Sequence, residues 1–242
     1  MIECNMTAKD NLKTNLDENF EEAYNLCDKE FSHQDLLSML YKGNLVQKQI
    51  AALKFDYVND SNDANALVSN LTGCDGKIRE AAALTINKFI NTKPETRIFF
   101  AEIGADTFAD ASIDINGNIC NYTVDSADKL KEFENFSTYY IKKIIQISKN
   151  TLDEIDKFIF RDKKYVINKQ IFKLYWCLKT IKNYFDYMDY ADLKEILERS
   201  SKQKEYTIRE AVAHIIKNKE EFNHIKEKLE QDDNYYVKKA LL

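Results

Sequence analysis

The sequence predicts an all-α fold built from repeated pairs of helices. The chain has 242 residues but only five glycines and one proline, whereas the two together average ~12% of residues in proteins. A β-sandwich or barrel needs many tight turns, and an α/β enzyme needs glycines where backbone meets phosphate. Hydrophobic residues at 44% and charged residues at 31% are typical of a folded protein. Apolar residues also recur at helical spacing along most of the chain.

Six segments repeat one pattern, in which a β-branched residue opens a helix and small or apolar residues follow at helical spacing. The opening residues are Val46, Ile78, Ile119, Val166, Ile208 and Val237. A short polar turn precedes each of them, and another apolar-periodic stretch precedes each turn. The pattern therefore predicts helix, tight turn, helix in every unit. The predicted units lie near residues 33–59, 63–91, 97–132, 137–185, 190–218 and 220–242.

The glycines and the proline fall mainly between the predicted helices. Gly43, Gly73, Gly76 and Gly117 fall in the predicted turns, where a positive φ is accessible to glycine. Pro94 falls between units, where it can open a helix. Residues 118–242 contain neither residue type, so that half is predicted to be the more continuously helical.

The repeats predict one stacked domain. A lone pair of helices cannot bury its apolar face, whereas stacked pairs bury a continuous one. We therefore expect a single helical-repeat domain over residues 31–242. The acidic, weakly periodic residues 1–30 are predicted to form an N-terminal arm and a capping helix.

Two of the openings carry a more specific motif. The segments are Asp-Gly-Lys-Ile78-Arg79-Glu-Ala81-Ala and Glu-Tyr-Thr-Ile208-Arg209-Glu-Ala211-Val. They resemble the HEAT-repeat family and its shorter bacterial HEAT-like relatives, whose motif is a turn acid, Val-Arg, small residues and Leu. The resemblance covers roughly residues 33–242 and implies a right-handed α-α superhelix, a HEAT-like solenoid of about six units. An irregular helical bundle is the alternative architecture.

The resemblance also assigns structural roles to the repeated residues. Ala81 and Ala211 would let neighbouring helices approach closely. Arg79 and Arg209 would pair with turn acids of neighbouring units, and Asp75 and Glu205 are possible partners. The third and fourth units depart from the motif, because Cys120 and Ile167 stand where arginine is expected.

No catalytic or metal-binding motif is present in the sequence. The histidines His33, His214 and His224 lack partners at metal-ligand spacing, and the five cysteines form no C-x-x-C pair. We therefore expect neither a metal nor a cofactor, and the absence of motifs favours a protein without enzymatic activity. The N-terminus lacks a signal-peptide pattern and no apolar run reaches ~18 residues, so we expect a cytoplasmic protein without membrane partners.

The main functional signal is an uneven distribution of charge. Residues 161–182 contain seven basic residues against one acid, interleaved with aromatic residues. Lys169 and Lys173 are i,i+4 neighbours on one helix face, and the resemblance would place them on the concave surface of the array. The predicted binding patch comprises Arg161, Lys163, Lys164, Lys169, Lys173 and Trp176. The alternative interpretation is a solvated helix face whose lysines balance Asp186, Asp189 and Asp192.

These observations favour a non-catalytic scaffold that binds a protein or peptide, possibly acidic, on the concave face of a helical array. The alternative is a protein that handles nucleic acid, similar to alkylated-base DNA glycosylases, or a HEAT-like lyase. The net charge of −5 argues against nucleic acid as the partner.

Overall fold

The computed structural model describes residues 20–157 and 164–242, with side chains from Ile167 onward in the second range. All regular structure in these ranges is helical, which confirms the predicted all-α class. The helices are α1 (20–27), α2 (His33–Lys42), α3 (Leu45–Lys54), α4 (Ser61–Val68), α5 (Gly76–Thr92), α6 (Arg97–Ile103), α7 (Ala105–Ala111), α8 (Gly117–Leu130), α9 (Glu134–Lys157), α10 (Lys164–Asn183), α11 (Tyr190–Ser200), α12 (Tyr206–Ile216), α13 (Asn223–Glu230) and α14 (Tyr235–Leu241). Within the described ranges, every helix is too short or too polar to cross a membrane.

The chain folds into two compact units, Met1–Thr107 and Phe108–Leu242. The expectation of one continuous repeat domain over residues 31–242 stays a prediction.

In the first unit, polar caps fix where the helices begin. Ser32 and Asp35 form a capping box at the start of α2, and Asn44 and Gln47 form another at the start of α3. The carboxylate of Asp75 accepts hydrogen bonds from the backbone N–H groups of the second and third residues of α5. Each capping residue immediately precedes an apolar-periodic stretch in the sequence, so the helix begins where that stretch begins.

The turns of this unit use glycine in two different ways. Gly73 has φ of +128°, a conformation that other residues adopt only with strain. Gly43 has an ordinary φ of −65°, but a Cβ there would lie 2.5 Å from the carbonyl oxygen of Met39. Gly43 is therefore required for space and Gly73 for backbone conformation.

Helices α3 and α5 pack side by side in the first unit. The Thr85 hydroxyl of α5 donates to the carbonyl oxygen of Ala52 in α3 over 2.8 Å. Three alanines of these two helices, Ala51, Ala52 and Ala82, are fully buried.

In the second unit, helices α8, α10, α12 and α14 form a row, each packed beside the next. A Cβ on Gly117 would lie 3.9 Å from the ring of Phe172, and the Tyr184 hydroxyl donates to the carbonyl of Ala127 over 2.6 Å. The start of α8 thus meets the first half of α10, and its end meets the end of α10. The two helices therefore run parallel.

Helices α9 and α11 form a second layer that is joined by ion pairs. Lys149 of α9 contacts Asp192 and Glu195 of α11 at 2.8 and 2.6 Å. Arg199 of α11 contacts Asp153 and Asp156 of α9 at 2.8 and 2.7 Å. Tyr140 of α9 is completely buried, and its hydroxyl lies 2.7 Å from that of Ser112.

Candidate binding groove

Three helices of the second unit, α8, α10 and α12, line a groove of about 430 Å³. Its volume lies within the range of pockets that bind small ligands or a few side chains. Apolar residues form part of its wall, since Trp176 packs against Val124 and Cys120 in one cluster. The side chains that define its chemistry are Asp125 of α8, Tyr175, Trp176, Lys179 and Lys182 of α10, and Glu210 and His214 of α12.

Helix α10 brings positive charge to the middle of the groove. Its sequence contains five lysines and no acid. The Lys179 ammonium lies 5.5 Å from the ring centroid of Tyr175 and 5.8 Å from that of Trp176, and such a position over aromatic rings restrains a flexible side chain. Within residues 20–157 and 164–242, neither Lys179 nor Lys182 forms an ion pair with a carboxylate. Their charge is therefore available to a ligand.

The helices on either side bring negative charge. Asp125 projects from α8 and the half-buried Glu210 from α12, and both line the same groove. The order of charges across the three helices is therefore negative, positive, negative.

His214 adds a titratable group beside the lysines. Partial burial lowers the pKa of its imidazole from the ordinary value of 6.5, and the nearby Lys182 ammonium lowers this pKa further. Glu210, one turn earlier on α12, acts in the opposite direction. Burial and Lys182 thus both favour the neutral form of His214.

The predicted binding patch falls only partly on this groove. Trp176 lines it, whereas Lys169 and Lys173 do not: the first is exposed and the second half-buried elsewhere on α10. Arg161 and Lys163 lie outside the described residues. Lys164 is the first residue of α10, and its side chain also lies outside the description. Sequence reasoning counted Lys179 and Lys182 in the basic run but did not single them out.

The predicted repeat anchors lie in the first turns of α3, α5, α8, α10, α12 and α14. They are Val46, Ile78, Ile119, Val166, Ile208 and Val237, of which Ile78, Ile119, Ile208 and Val237 are buried. Val46 is half-buried, and the side chain of Val166 lies outside the description. Ala81 and Ala211 are also buried.

The fourth residues of α5, α8 and α12 share one contact. Arg79 donates to the carbonyl of Gly73 over 2.7 Å, and Arg209 donates to the carbonyl of Gln203 over 2.7 Å. Cys120, which departs from the expected arginine, places its Sγ 3.0 Å from the carbonyl oxygen of Asp114. Each donor reaches six residues back along the chain, so the thiol takes the place of the guanidinium.

A pair of the half-buried His33 and the buried Asp63 in the first unit was missed by sequence reasoning. His33 Nε2 lies 2.9 Å from Asp63 Oδ1, and the imidazole stacks on the ring of Tyr57 at 3.9 Å between centroids. The two residues are 30 positions apart, but each lies in the first turn of its helix, α2 or α4. This shared position in the first turn of each helix was the signal in the sequence that could have indicated the pair.

The buried thiols of the second unit are poor nucleophiles. Burial raises the pKa of Cys120 to about 12 and that of Cys177 to about 11, so both stay protonated at neutral pH. Among the residues that the structure describes, no cluster of histidine, cysteine and carboxylate side chains could hold a metal ion. Comparison with known protein families and with curated proteins gave no match to this chain.

Proposed function

We propose that the chain is a non-catalytic, HEAT-like helical-repeat protein that binds an acidic segment of a partner protein in the groove between α8, α10 and α12. Two features support a repeat array. Successive second helices pack side by side in each unit, as α3 with α5 and as α8, α10, α12 and α14. The shared contact of Arg79, Cys120 and Arg209 recurs at the same helix position. In a HEAT-like array the second helices would line the concave face.

The observation that carries the binding function is the pair of ammonium groups on α10. Lys179 and Lys182 lie in a groove beside Tyr175 and Trp176, without an ion-pair partner in the described chain. Aromatic rings next to cations are typical of the centre of protein interfaces, where they bury area and orient a charged partner. A carboxylate with an adjacent apolar side chain fits this arrangement.

A nucleic-acid backbone fits it less well. Phosphate recognition needs several cations that track the strand, whereas this groove sets Asp125 and Glu210 on both sides of its lysines. The same juxtaposition of lysines, aromatic rings and carboxylates makes a glycosylase-like activity on DNA the second candidate.

The proposal can be tested by selecting displayed random 12-residue peptides against the protein. We expect enrichment of peptides with acidic and apolar residues. Their affinity, measured by fluorescence anisotropy, should fall about tenfold or more in Lys179→Glu/Lys182→Glu, because two attractive charges become repulsive. The matched control is Lys169→Glu/Lys173→Glu, which makes the same charge change on the same helix outside the groove.

Three results would overturn the proposal or redirect it. Selection without any enriched peptide would remove the binding function, and equal loss in both double variants would return the site to Lys169 and Lys173. Tight binding of labelled DNA that depends on Lys179 and Lys182, and that collapses with added salt, would favour the nucleic-acid function.

A further inference from the structure

His214 differs from the other two histidines of the chain in what surrounds it. His33 lies 2.9 Å from Asp63 and His224 lies 3.0 Å from Glu198, so each has a carboxylate that stabilises its charged form. In the part of the chain that the structure describes, His214 has no ion pair of this kind. Its imidazole is exposed and lines the groove between α8, α10 and α12. A carboxylate in contact with this imidazole therefore has to come from a ligand.

The imidazole lies close to the lysines of α10. One face of α12 lines the groove, and its residues there are Thr207, Glu210, Ala211 and His214. Their spacing of three, one and three positions is that of a single helical stripe. Lys179 and Lys182 line the groove from α10, and Lys182 acts more strongly on the imidazole than Lys179 does. Since the effect of a charge falls with distance, His214 lies nearer to Lys182.

The charges that act on this imidazole come from α10 and α12. Lys179 and Lys182 of α10 and Lys217 of α12 disfavour the imidazolium. Glu210 of α12 favours it, and Asp125 of α8 lines the same groove. Partial burial acts in the same direction as the lysines and is the largest effect, so the pKa of the imidazole lies below 6.5 in the protein alone.

A ligand carboxylate bound to Lys179 and Lys182 would shift this balance, because it brings a negative charge beside the imidazole. We infer that His214 is the third cationic group of the binding site, and that an acidic segment binds together with one proton from the solvent, which the imidazole holds. The inference rests on the proposed function and adds to it a dependence on pH, with affinity rising as the pH falls. This gain is complete below the pKa of the free imidazole and disappears above that of the bound one.

The dependence on pH can be tested with the tightest-binding acidic peptide of the 12-residue selection that is free of histidine and cysteine. With blocked ends, no group of this peptide titrates between pH 5.5 and 7.5, since the ordinary pKa values of aspartate and glutamate are about 3.9 and 4.3. We expect the wild type to bind it about fivefold more tightly at pH 5.5 than at pH 7.5, as estimated for a rise of about one pH unit in the titration of the imidazole. Fluorescence anisotropy measures the affinity.

Matched variants assign the proton to one histidine. In His214→Gln the affinity should be equal at the two pH values, whereas His224→Gln, which removes a histidine outside the groove, should behave as the wild type does. Calorimetry at pH 6.5 in two buffers of different ionisation enthalpy should detect proton uptake in the wild type and none in His214→Gln. An NMR titration of the wild type should show that the peptide raises the midpoint of His214 by about one pH unit.

The outcomes separate the two proposals. If the peptide binds through Lys179 and Lys182 with equal affinity at both pH values and without proton uptake, the role of His214 is wrong and the binding function stands. A pH dependence that persists in His214→Gln would place the proton on another group and would also overturn the inference. If the selection yields no peptide whose binding depends on these lysines, the proposed function fails, and the inference fails with it.

Discussion

The guanidinium of Arg209 grips the carboxylate of Asp232 with two hydrogen bonds, from Nε to Oδ2 over 2.6 Å and from Nη2 to Oδ1 over 3.0 Å. Its remaining nitrogen, Nη1, donates to the carbonyls of Gln203 and Lys204 at 2.7 Å each. The hydrogen bonds from Arg209 hold the pKa of Asp232 below its ordinary value. One side chain thus ties the turn before α12 to the turn before α14.

Loss of this arginine should destabilise the protein more than loss of an arginine with exposed partners. Arg209→Met would leave the Asp232 side chain, 8% exposed, without its partner, and we expect a cost of about 2–3 kcal/mol in the free energy of unfolding. Arg199→Met is the matched control, because its partners Asp153 and Asp156 are each 53% exposed. We expect about 0.5–1 kcal/mol there.

The comparison requires urea unfolding of both variants at pH 7. If the two variants lose equal free energy of unfolding, the contact between the turns stabilises the protein no more than an exposed ion pair does. If a second change, Asp232→Leu, restores the stability of Arg209→Met, the unpaired Asp232 carboxylate is the cause of the loss.

Enlarging the small residues of α5 and α12 should destabilise both units. Ala81 and Ala211 are 4% and 9% exposed, so Ala81→Leu and Ala211→Leu would force side chains into filled space at a cost of about 1–3 kcal/mol each. The exposed Ala191 of α11 offers the control Ala191→Leu, which should change the urea midpoint little. Unchanged midpoints in the two buried variants would contradict the proposed close packing of repeats.

We expect the groove lysines to lower the pKa of the His214 imidazole. Its pKa lies below 6.5 because partial burial and Lys182 disfavour the imidazolium. An NMR titration of the imidazole should therefore give a midpoint below 6.5, and Lys182→Gln should move that midpoint upward. A pKa that stays in place in Lys182→Gln would remove Lys182 as a cause.

The lowered pKa of His214 also determines how the free energy of unfolding changes with pH. The unfolded chain binds the proton more readily than the folded one, so the contribution of His214 is full above pH 6.5 and is lost as the pH falls from there through the lowered pKa. We expect His214→Gln to lose less stability than the wild type between pH 7.5 and 5.0.

Much of the helical layout was predictable because its signals are local. The caps at Asn44, Asp75, Asn116 and Asn234 each accept a hydrogen bond from a backbone N–H in the first turn of the helix that follows. Each stands just before an opening residue of the repeat pattern. A polar cap followed by apolar periodicity requires no knowledge of distant residues.

Which side chains of α10 line the groove could not be predicted from the sequence. Lys169 and Lys179 belong to one helix, but ten residues at 3.6 per turn separate their directions by about 80°. Which of them faces α8 and α12 depends on how α10 is rotated when Trp176 packs against Cys120 and Val124. That rotation is a property of the packed helices, not of α10 alone.

The arginine contacts illustrate the same limit. Glu205 was one possible partner of Arg209, but the ion pair joins Arg209 to Asp232, which lies 23 residues further along in the turn before α14. Cys120 appeared to break the motif, and yet its thiol reaches the same carbonyl position as the two guanidinium groups. A sequence motif specifies residue types, whereas the fold requires only a donor of suitable reach.

The parallel direction of α8 and α10 aligns their helix dipoles. Each helix carries roughly +0.5 elementary charge at its first turn and −0.5 at its last, so dipoles of one direction repel when they stand side by side. Asp114 lies at the positive end of α8, where it accepts a backbone hydrogen bond just before the helix begins. Lys182 stands in the last turn of α10, at the negative edge. The Lys182 ammonium therefore stabilises the C-terminal end of α10. A carboxylate that binds to Lys182 would compete for this ammonium with the carbonyl groups of the last helical turn.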